Sequence, residues 1–262
     1  MNSPFRDDLL QGKTAFITGG TSGINLAIAQ RFAKAGARVA VLGRNPEKAK
    51  AAAGTLGPEG LWFVADVRDY GGLAAAISEA AAKFGGLDIL VNGAAGNFPA
   101  PVAAMSANGF KAVMDIDVLG TFNACRAAFE HLKKPGASVI SISATQAFTP
   151  APLQAHVCAA KAGVDMLTRV LAMEWGAAGV RVNSIAPGPV DGTEGMARLA
   201  PTEEARARVA GLVPLGRFAS KDEIAEVALF LCSPAASYIT GSVLVADGGQ
   251  SLSGYGSFFL GS

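Results

Sequence analysis

Seven short apolar segments, each followed by a longer stretch with helical periodicity, constrain the fold of this chain more than any other feature. Several of these segments are apolar at every position, which is typical of strands covered on both faces. Regular alternation of strand and helix predicts a parallel, doubly wound α/β sheet of about seven strands with helices on both faces. The predicted strands are 14–18, 38–43, 61–65, 87–92, 137–143, 180–186 and 242–247.

No internal repeat, low-complexity tract or linker divides the chain, so residues 1–262 are predicted to form a single domain. Glycines at positions 36, 85 and 176 predict the C-terminal ends of three helices. Residues 187–217 are the least regular part, with four prolines and five glycines. A connection of that length is uncommon inside a compact domain. Two interpretations stay open for it: a lid on the substrate side, or a mobile loop.

The composition excludes several functional classes. Half of the residues are hydrophobic and 16% are charged, which allows a large core, and the net charge of +1 gives no basic surface for nucleic acid or an anionic membrane. The three cysteines lack CxxC spacing and predict buried thiols in a reducing compartment, with no disulfide or metal site. No apolar signal core, membrane-length apolar run or peroxisomal SKL-type address is present, so a cytoplasmic protein is expected.

A glycine-rich turn lies directly between the first predicted strand and the first predicted helix, in "TAFITGGTSGINLAIA". Gly19 allows a tight turn, and Gly23 lets the backbone approach a pyrophosphate. The helix beyond begins with free N–H groups at the positive end of its dipole. An ordinary tight turn is the alternative, but the strand–turn–helix context favours a dinucleotide site.

The end of the second predicted strand favours NADPH over NADH. A site selective for NAD usually ends this strand with an acidic residue that binds the ribose hydroxyls, whereas a 2′-phosphate requires a cation. Arg44 follows Gly43 here, and no acidic residue stands at the strand end. An ordinary surface arginine is the alternative interpretation.

The glycine spacing resembles the TGxxxGxG fingerprint of the short-chain dehydrogenase/reductase family, which has a Rossmann-type fold, with Asn25 in place of the last glycine. The segments "ADVRD", "VNGAAGNF" and "NSIAPGPVDGTEG" follow in the family's order, so the resemblance runs from about residue 10 to 250. The role of Asn25 stays open between local packing and a bond to a phosphate. The cofactor-binding residues that the resemblance implies are Gly19, Thr21, Ser22, Gly23, Ile24, Arg44, Asp66, Val67, Asn92, Ala94, Lys161, Pro187 and Gly188.

The familiar catalytic groups of that family are largely replaced in this chain. In the family a tyrosine exchanges the proton, a lysine activates it, a serine holds the carbonyl oxygen and an asparagine positions a water relay. The corresponding positions here are Val157, Lys161, Ala144 and Asp117. Only the lysine is kept, which indicates either lost activity or a different substrate.

The same replacements resemble the peroxisomal-type 2,4-dienoyl-CoA reductases, a subgroup that also lacks the tyrosine. The resemblance is densest in segments such as "VMDIDVLGTFN" and "HVCAAKAGVDMLTRVLAMEWG". It implies that Asp117 and Lys161 lie around an active-site water, and it implicates Asp247 as a third catalytic residue. Substrate contacts are predicted for Asn97, Phe98 and Ser143.

The residue types support this interpretation. A partly buried carboxylate needs a cation or a proton, so Asp117 and Lys161 are consistent with one shared pocket. A solvated aspartate on an exposed helix face is the alternative. Reduction of a conjugated dienoyl thioester places the proton on carbon and therefore does not require a phenol beside an oxygen.

The resulting prediction is an NADPH-dependent reductase of a conjugated C=C bond in an acyl-CoA or acyl-carrier-protein thioester, with a place in fatty-acid β-oxidation. Two alternatives remain open: a short-chain oxidoreductase acting on other unsaturated or 3-oxoacyl thioesters, and a catalytically silent NADP-binding protein. The resemblance also implies a homotetramer that assembles through the helices containing 106–132 and 153–178 and through the C-terminal strand.

Overall fold

The computed structural model describes residues 5–252 and contains one fully parallel sheet in the order β3-β2-β1-β4-β5-β6-β7. Strand order reverses between β1 and β4, which creates the crevice where doubly wound sheets bind ligands. The predicted doubly wound sheet is therefore confirmed. The strands are β1 (Thr14–Thr18), β2 (Arg38–Gly43), β3 (Leu61–Val64), β4 (Ile89–Asn92), β5 (Ser138–Ile142), β6 (Arg181–Pro187) and β7 (Val243–Ala246).

Helices cover both faces of the sheet and bury two large apolar clusters. One cluster joins α1 to α9 through side chains such as Phe32 and Leu229, and the other joins α3 to α5 through Ile77 and Ala124. The helices of the described residues are α1 (Gly23–Lys34), α2 (Pro46–Ala53), α3 (Tyr70–Phe84), α4 (Ala107–Met114), α5 (Gly120–Ala128), α6 (Ala155–Trp175), α7 (Glu194–Leu199), α8 (Glu203–Gly211) and α9 (Lys221–Cys232). None of these helices combines the length and apolar character needed to cross a membrane.

Helix ends follow local chemistry. α9 begins with a capping box, in which the Ser220 side chain accepts from Glu223 N and the Glu223 carboxylate accepts from Ser220 N. α3 ends at Gly85, which adopts a left-handed φ of 74°. α6 also ends where predicted, but Gly176 keeps helical dihedrals and the chain turns left-handed only at Gly179.

Residues 187–217 contain two helices, α7 and α8, which the sequence analysis did not predict. Thr193 and Thr202 cap them by accepting from backbone N–H groups three residues later. Neither helix has a fully buried residue, so neither shows the apolar stripe that reveals a helix in a sequence. The local signals were the threonine caps, the acidic first turns and an arginine in each last turn.

A π turn at Asp115–Leu119 joins α4 to α5 and packs against α6. Such turns often occur at functional positions inside helices. Asp117 lies in the middle of the turn and is 1% exposed, and its carbonyl accepts a 2.6 Å hydrogen bond from Thr121 Oγ1. The π turn thus places a carboxylate inside the protein.

Asp88 ties the N-terminal ends of the sheet together, at the edge opposite the crevice. Its carboxylate accepts from Thr14 N and Thr14 Oγ1, both at 3.0 Å, and from Lys13 and Lys133 Nζ at 3.0 and 2.9 Å. Burial alone would raise the pKa of Asp88, but the bonds from Lys133, Lys13 and Thr14 lower it below its usual value.

We expect Asp88→Asn to lower the free energy of unfolding by about 1.5–3 kcal/mol at neutral pH, because charge-assisted hydrogen bonds are lost. The folded-state pKa is depressed, so this contribution is present above the unfolded pKa and disappears as pH falls through the folded value. Denaturant titrations between neutral and acidic pH measure both effects. Glu79→Gln, which removes an exposed pair with Lys83, is the control and should cost under about 0.5 kcal/mol. Equal losses in the two variants would contradict the assignment.

Candidate active site

The glycine-rich turn between β1 and α1 opens a cleft of about 470 Å³ at the carboxyl ends of the strands. Gly19 has a φ of 67°, and a Cβ there would lie 2.8 Å from Ala94 N, so only glycine fits. Ser22 precedes α1 without a side-chain cap bond, which leaves the first N–H groups facing the turn. The predicted cofactor residues that line the cleft are Gly19, Thr21, Ser22, Gly23, Ile24, Arg44, Asp66, Val67, Ala94 and Lys161.

Asn25 replaces the last fingerprint glycine and has a structural partner. Its Nδ2 donates a 2.7 Å hydrogen bond to Gly93 O, which joins the turn to the end of β4. A Cβ at Gly93 would lie 2.2 Å from the Asn25 side chain, so this approach requires glycine at position 93. One of the two amide N–H groups is thus used within the protein, so Asn25 has a packing role between α1 and the end of β4.

The cleft end nearest β2 and β3 carries most of the charge. Arg44 and Lys48 line it on one side and Asp66 on the other. The Arg68 guanidinium, which binds Asp66 at 2.6–2.9 Å, lowers the pKa of that carboxyl to about 2, so Asp66 is ionised. This end of the cleft is thus lined by two cationic side chains and one ionised carboxylate.

Residues 193–195, at the start of α7, also line the cleft. Lys48 Nζ lies 3.7 Å from Glu194 Oε1, so an ion pair spans the mouth of the cleft. The sequence analysis did not predict Lys48 or Glu194 as site residues. Their only sequence signal was the position of Lys48 one turn after Arg44, and Glu194 had none.

Asn92, Pro187 and Gly188 do not line this cleft. Asn92 Nδ2 donates to Cys125 Sγ at 3.2 Å and to Ser141 Oγ at 3.4 Å, which links β4 to α5 and β5. Burial raises the pKa of the Cys125 thiol to about 12, so it stays protonated. Gly188 packs against the Asp247 backbone in a separate cavity.

Asp117 and Lys161 form a buried ion pair beside the cleft, which Lys161 lines and Asp117 does not. Lys161 Nζ lies 3.0 Å from Asp117 Oδ2 and donates a 2.9 Å hydrogen bond to Ile142 O. Asp117 Oδ1 accepts from Gly96 N at 2.7 Å. The contact between Lys161 Nζ and Asp117 Oδ2 is an ion pair without the alignment of a hydrogen bond. Within residues 5–252, Asp117 Oδ2 is therefore buried and accepts no hydrogen bond.

The surroundings of this pair are apolar where the family has its phenol. Val157 is 4% exposed and packs with Val113 and Ala160 one turn before Lys161. Ser143 follows β5 and lines the cleft beside Lys161. Burial raises the pKa of Asp165, one turn after Lys161, while the neighbouring Ser143 and Ser184 hydroxyls oppose that rise. Asp165 is a buried carboxyl that the sequence analysis overlooked.

The remaining predicted residues lie outside the cleft. Phe98 stacks on His156 beside the Asp117 end of the site, and Asn97 O accepts from Arg198 of α7. Asp247 lines the same separate cavity as Gly188, and its carboxylate accepts from Gly249 N and Ser251 N at 2.8 Å. The structure therefore does not bring Asp247 into contact with Asp117 or Lys161.

Comparisons with known proteins agree with this geometry. The family model described as enoyl-(acyl carrier protein) reductase matches residues 19–251. A peroxisomal 2,4-dienoyl-CoA reductase of Danio rerio, named as producing (3E)-enoyl-CoA, is 46% identical over 94% of this chain and 83% of its own length. A probable 2,4-dienoyl-CoA reductase of Bacillus subtilis, named as producing (2E)-enoyl-CoA, is 42% identical over 94% of this chain and 99% of its own. A short chain dehydrogenase structure from Bacillus anthracis has a TM-score of 0.83 at 39% identity, covering 92% of this chain and 97% of that one.

A doubly wound parallel sheet with a glycine-rich first turn and a buried lysine beside its cleft defines a dinucleotide-binding oxidoreductase. The matched family model and the relatives show that this chain belongs to the short-chain dehydrogenase/reductase family. The resemblance seen in the sequence is confirmed. The cofactor of this family is a nicotinamide dinucleotide, and the cleft between Gly19 and Lys161 has the residues to hold it.

Proposed function

We propose that this protein reduces a conjugated 2,4-dienoyl-CoA to an enoyl-CoA with NADPH. The observation that carries the proposal is the buried pair of Asp117 and Lys161 in a site whose phenol position is Val157. A phenol is the efficient acid when the proton goes to a carbonyl oxygen, but here the titratable groups paired beside the cleft are a carboxylate and an ammonium. The names of the Danio rerio and Bacillus subtilis relatives support the same substrate class.

The chemistry of the diene explains this residue set. When bound, the nicotinamide cofactor supplies the hydride that the far carbon of the diene accepts. The thioester then carries the negative charge as a dienolate, and a proton must reach carbon. Protonation next to the thioester carbonyl gives the 3-enoyl product after which the Danio rerio relative is named.

Asp117 and Lys161 act on that proton through a water molecule. Lys161 Nζ has donors to spare beyond Ile142 O, and Asp117 Oδ2 has an acceptor position, so the two can hold one water between them. Gly96 N–H fixes the other carboxylate oxygen and so the orientation of the group. The water relays a proton to the dienolate carbon, as general acid catalysis requires.

A thioester panel tests the function directly. We expect steady NADPH oxidation with 2,4-hexadienoyl-CoA and at least about 100-fold lower kcat/KM with 3-oxoacyl-CoA, because Val157 and Ala144 offer no acid or donor to a carbonyl oxygen. Acyl-carrier-protein thioesters belong in the same panel. Efficient ketone reduction would contradict the mechanism, and tight NADPH binding without turnover on any thioester would favour a silent binding protein.

Arg44 and Lys48 support the choice of NADPH. We expect Arg44→Ala to weaken NADPH binding by about 1.5–3 kcal/mol, since a charge-assisted hydrogen bond to the 2′-phosphate is lost, and to leave NADH binding nearly unchanged. Isothermal titration with both cofactors measures this. Lys50→Ala, an exposed lysine of α2 outside the cleft, is the matched control. Equal losses for NADPH and NADH would overturn the assignment.

The chain acts as one domain, with residues 187–217 as its substrate-side lid, and assembles into a cytoplasmic homotetramer. An exposed apolar stripe on α6, formed by Met166, Val170 and Met173, and the exposed Phe122 of α5 support assembly through these helices. Light scattering that finds a monomer would contradict the assembly. A fluorescent fusion found in an organelle would contradict the cytoplasmic location. The peroxisome is the organelle to test, because relatives are named as peroxisomal.

A further inference from the structure

His156 lies in the first turn of α6, is 0% exposed, and has no described partner for either ring nitrogen within residues 5–252. An imidazole always carries at least one N–H donor, and it carries an acceptor as well when neutral. Leaving a buried donor without a partner costs about 1–3 kcal/mol. Native proteins rarely leave such a group without a partner, so His156 is a candidate for a ligand contact.

The ring contact of His156 does not use its nitrogens. The Phe98 ring stacks on the imidazole with centroids 4.3 Å apart and an interplanar angle of 49°. The nitrogens lie in the ring plane, so their hydrogen-bonding positions point past the edge and not at Phe98. Asn97 Oδ1 and Gln154 Oε1, each one or two residues from these rings, are also buried without a described hydrogen-bond partner. Unused polar atoms are thus concentrated on two adjoining segments.

These two segments are held together under strain. Ala100 N donates a 3.0 Å hydrogen bond to Leu153 O, which ties the loop after β4 to the start of α6. Leu153 has a φ of 65°, the only left-handed non-glycine conformation in the described chain. Such a conformation costs about 1–3 kcal/mol and is found mostly at functional sites. The strain lies three residues before His156.

The same loop connects His156 to the catalytic pair. Gly96 N donates to Asp117 Oδ1, and Phe98, two residues later, covers His156. Two residues of extended chain span at most about 7 Å. Residues 96–98 therefore contact both Asp117 and His156. The distance that these three residues span is similar to the length of a short conjugated thioester.

We propose that His156 donates a hydrogen bond to the thioester carbonyl oxygen of the acyl-CoA substrate. This rests on the proposed function, and it supplies a donor for the oxygen on which the dienolate charge develops. Val157 and Ala144 offer none, and the proposed relay engages the Lys161 ammonium with Asp117, Ile142 O and the water. The Ser143 hydroxyl at the cleft is the other donor of the site, and the His156 variants below distinguish the two. Access requires Phe98 to turn aside, and this side chain belongs to a loop without helix or strand structure.

Kinetics of matched variants test the donor. We expect His156→Phe, which keeps the ring and removes the donor, to lower kcat on 2,4-hexadienoyl-CoA by about 100- to 1,000-fold, the range for loss of one oxyanion donor. His156→Gln, which restores a side-chain N–H, should recover most of that loss. NADPH affinity should be unchanged in both. Equal kcat values for His156→Phe and the wild type would overturn the proposal, as would equal losses for His156→Phe and His156→Gln.

A binding measurement separates this proposal from the proposed function. A hydrogen bond to the carbonyl polarises the conjugated system, so we expect the absorption of 2,4-hexadienoyl-CoA to shift to longer wavelength on the wild-type protein and not on His156→Phe. His131→Phe, at the other histidine of the sequence, should keep the shift, because it makes the same exchange and leaves the His156 donor in place. His156→Leu serves if His156→Phe does not fold. A shift that survives both donor-free variants, or no shift with bound wild type, overturns the role of His156. Absence of turnover with the shift present overturns only the function.

Discussion

Asp117→Asn is expected to cut turnover of 2,4-hexadienoyl-CoA by about 10²- to 10⁴-fold, the loss typical of general acid–base catalysis, while NADPH affinity stays near wild type. Asparagine keeps the size of the side chain and can still accept from Gly96 N, so the loop after β4 should stay in place. Asp117 Oδ2 lies 3.0 Å from Lys161 Nζ. In the variant an amide nitrogen takes the place of this oxygen, so two hydrogen-bond donors face each other there. The group that exchanges a proton is lost. Lys161 then lacks its counterion, which lowers stability, but its hydrogen bond to Ile142 O is kept.

The control for this variant lies in the same π turn. Asp115→Asn removes a carboxylate that is partly exposed and paired with Lys111 on the outside of the helix. Steady-state kinetics over a pH series should show a changed profile for Asp117→Asn and an unchanged one for Asp115→Asn. If Asp117→Asn turns over the dienoyl thioester near the wild-type rate with the wild-type pH profile, the proton comes from another group.

The fold could be predicted because the strands are buried on both faces. β1 and β4 are buried at every position, and continuous apolar runs of that kind have few other uses in a soluble chain. The predicted bounds differ from the observed ones by at most two residues, as in 87–92 against Ile89–Asn92. Strands that are buried at every position appear in the sequence as continuous apolar segments, which can be recognised without the structure.

The features that the sequence did not reveal depend on contacts between distant segments. The bond from Asn25 to Gly93 O joins the first turn of α1 to the residue after β4, 68 residues further along the chain, and nothing beside either residue indicates it. The ion pair of Lys48 and Glu194 likewise joins α2 to α7, a helix without a buried stripe. The π turn around Asp117 is a one-residue change of helical register, which periodicity over a short window does not resolve.

The candidate site was predicted from residue types, and its geometry came only from the fold. An aspartate in place of a neutral family residue, with the lysine retained, indicated a shared pocket for Asp117 and Lys161, and the structure places their charged atoms 3.0 Å apart. Asp247 was transferred from a motif common in the wider family, and its carboxylate binds the backbone of its own turn. The roles of all three residues remain predictions.

Lys161→Ala is expected to reduce turnover by at least the factor seen for Asp117→Asn and, unlike that variant, to weaken cofactor binding and stability together. The lysine lines the cleft, and the family resemblance implies that it binds the cofactor, so we expect its loss to remove a donor to the cofactor. It also leaves the Asp117 carboxylate, whose side chain is 0% exposed, without its cation. Breaking a buried pair in this way costs about 3–5 kcal/mol of unfolding free energy, measured by denaturant titration.

The double variant, Asp117→Asn with Lys161→Ala, distinguishes one relay from two separate functions. If both residues hold the same water, the first substitution already disables the relay and the second has little further effect on kcat. The combined loss in kcat should therefore fall well below the product of the single losses. Stability should partly recover relative to Lys161→Ala alone, because asparagine does not bury an unpaired charge. Losses in kcat that multiply, measured in single-turnover assays at saturating NADPH, would show that the two side chains act independently.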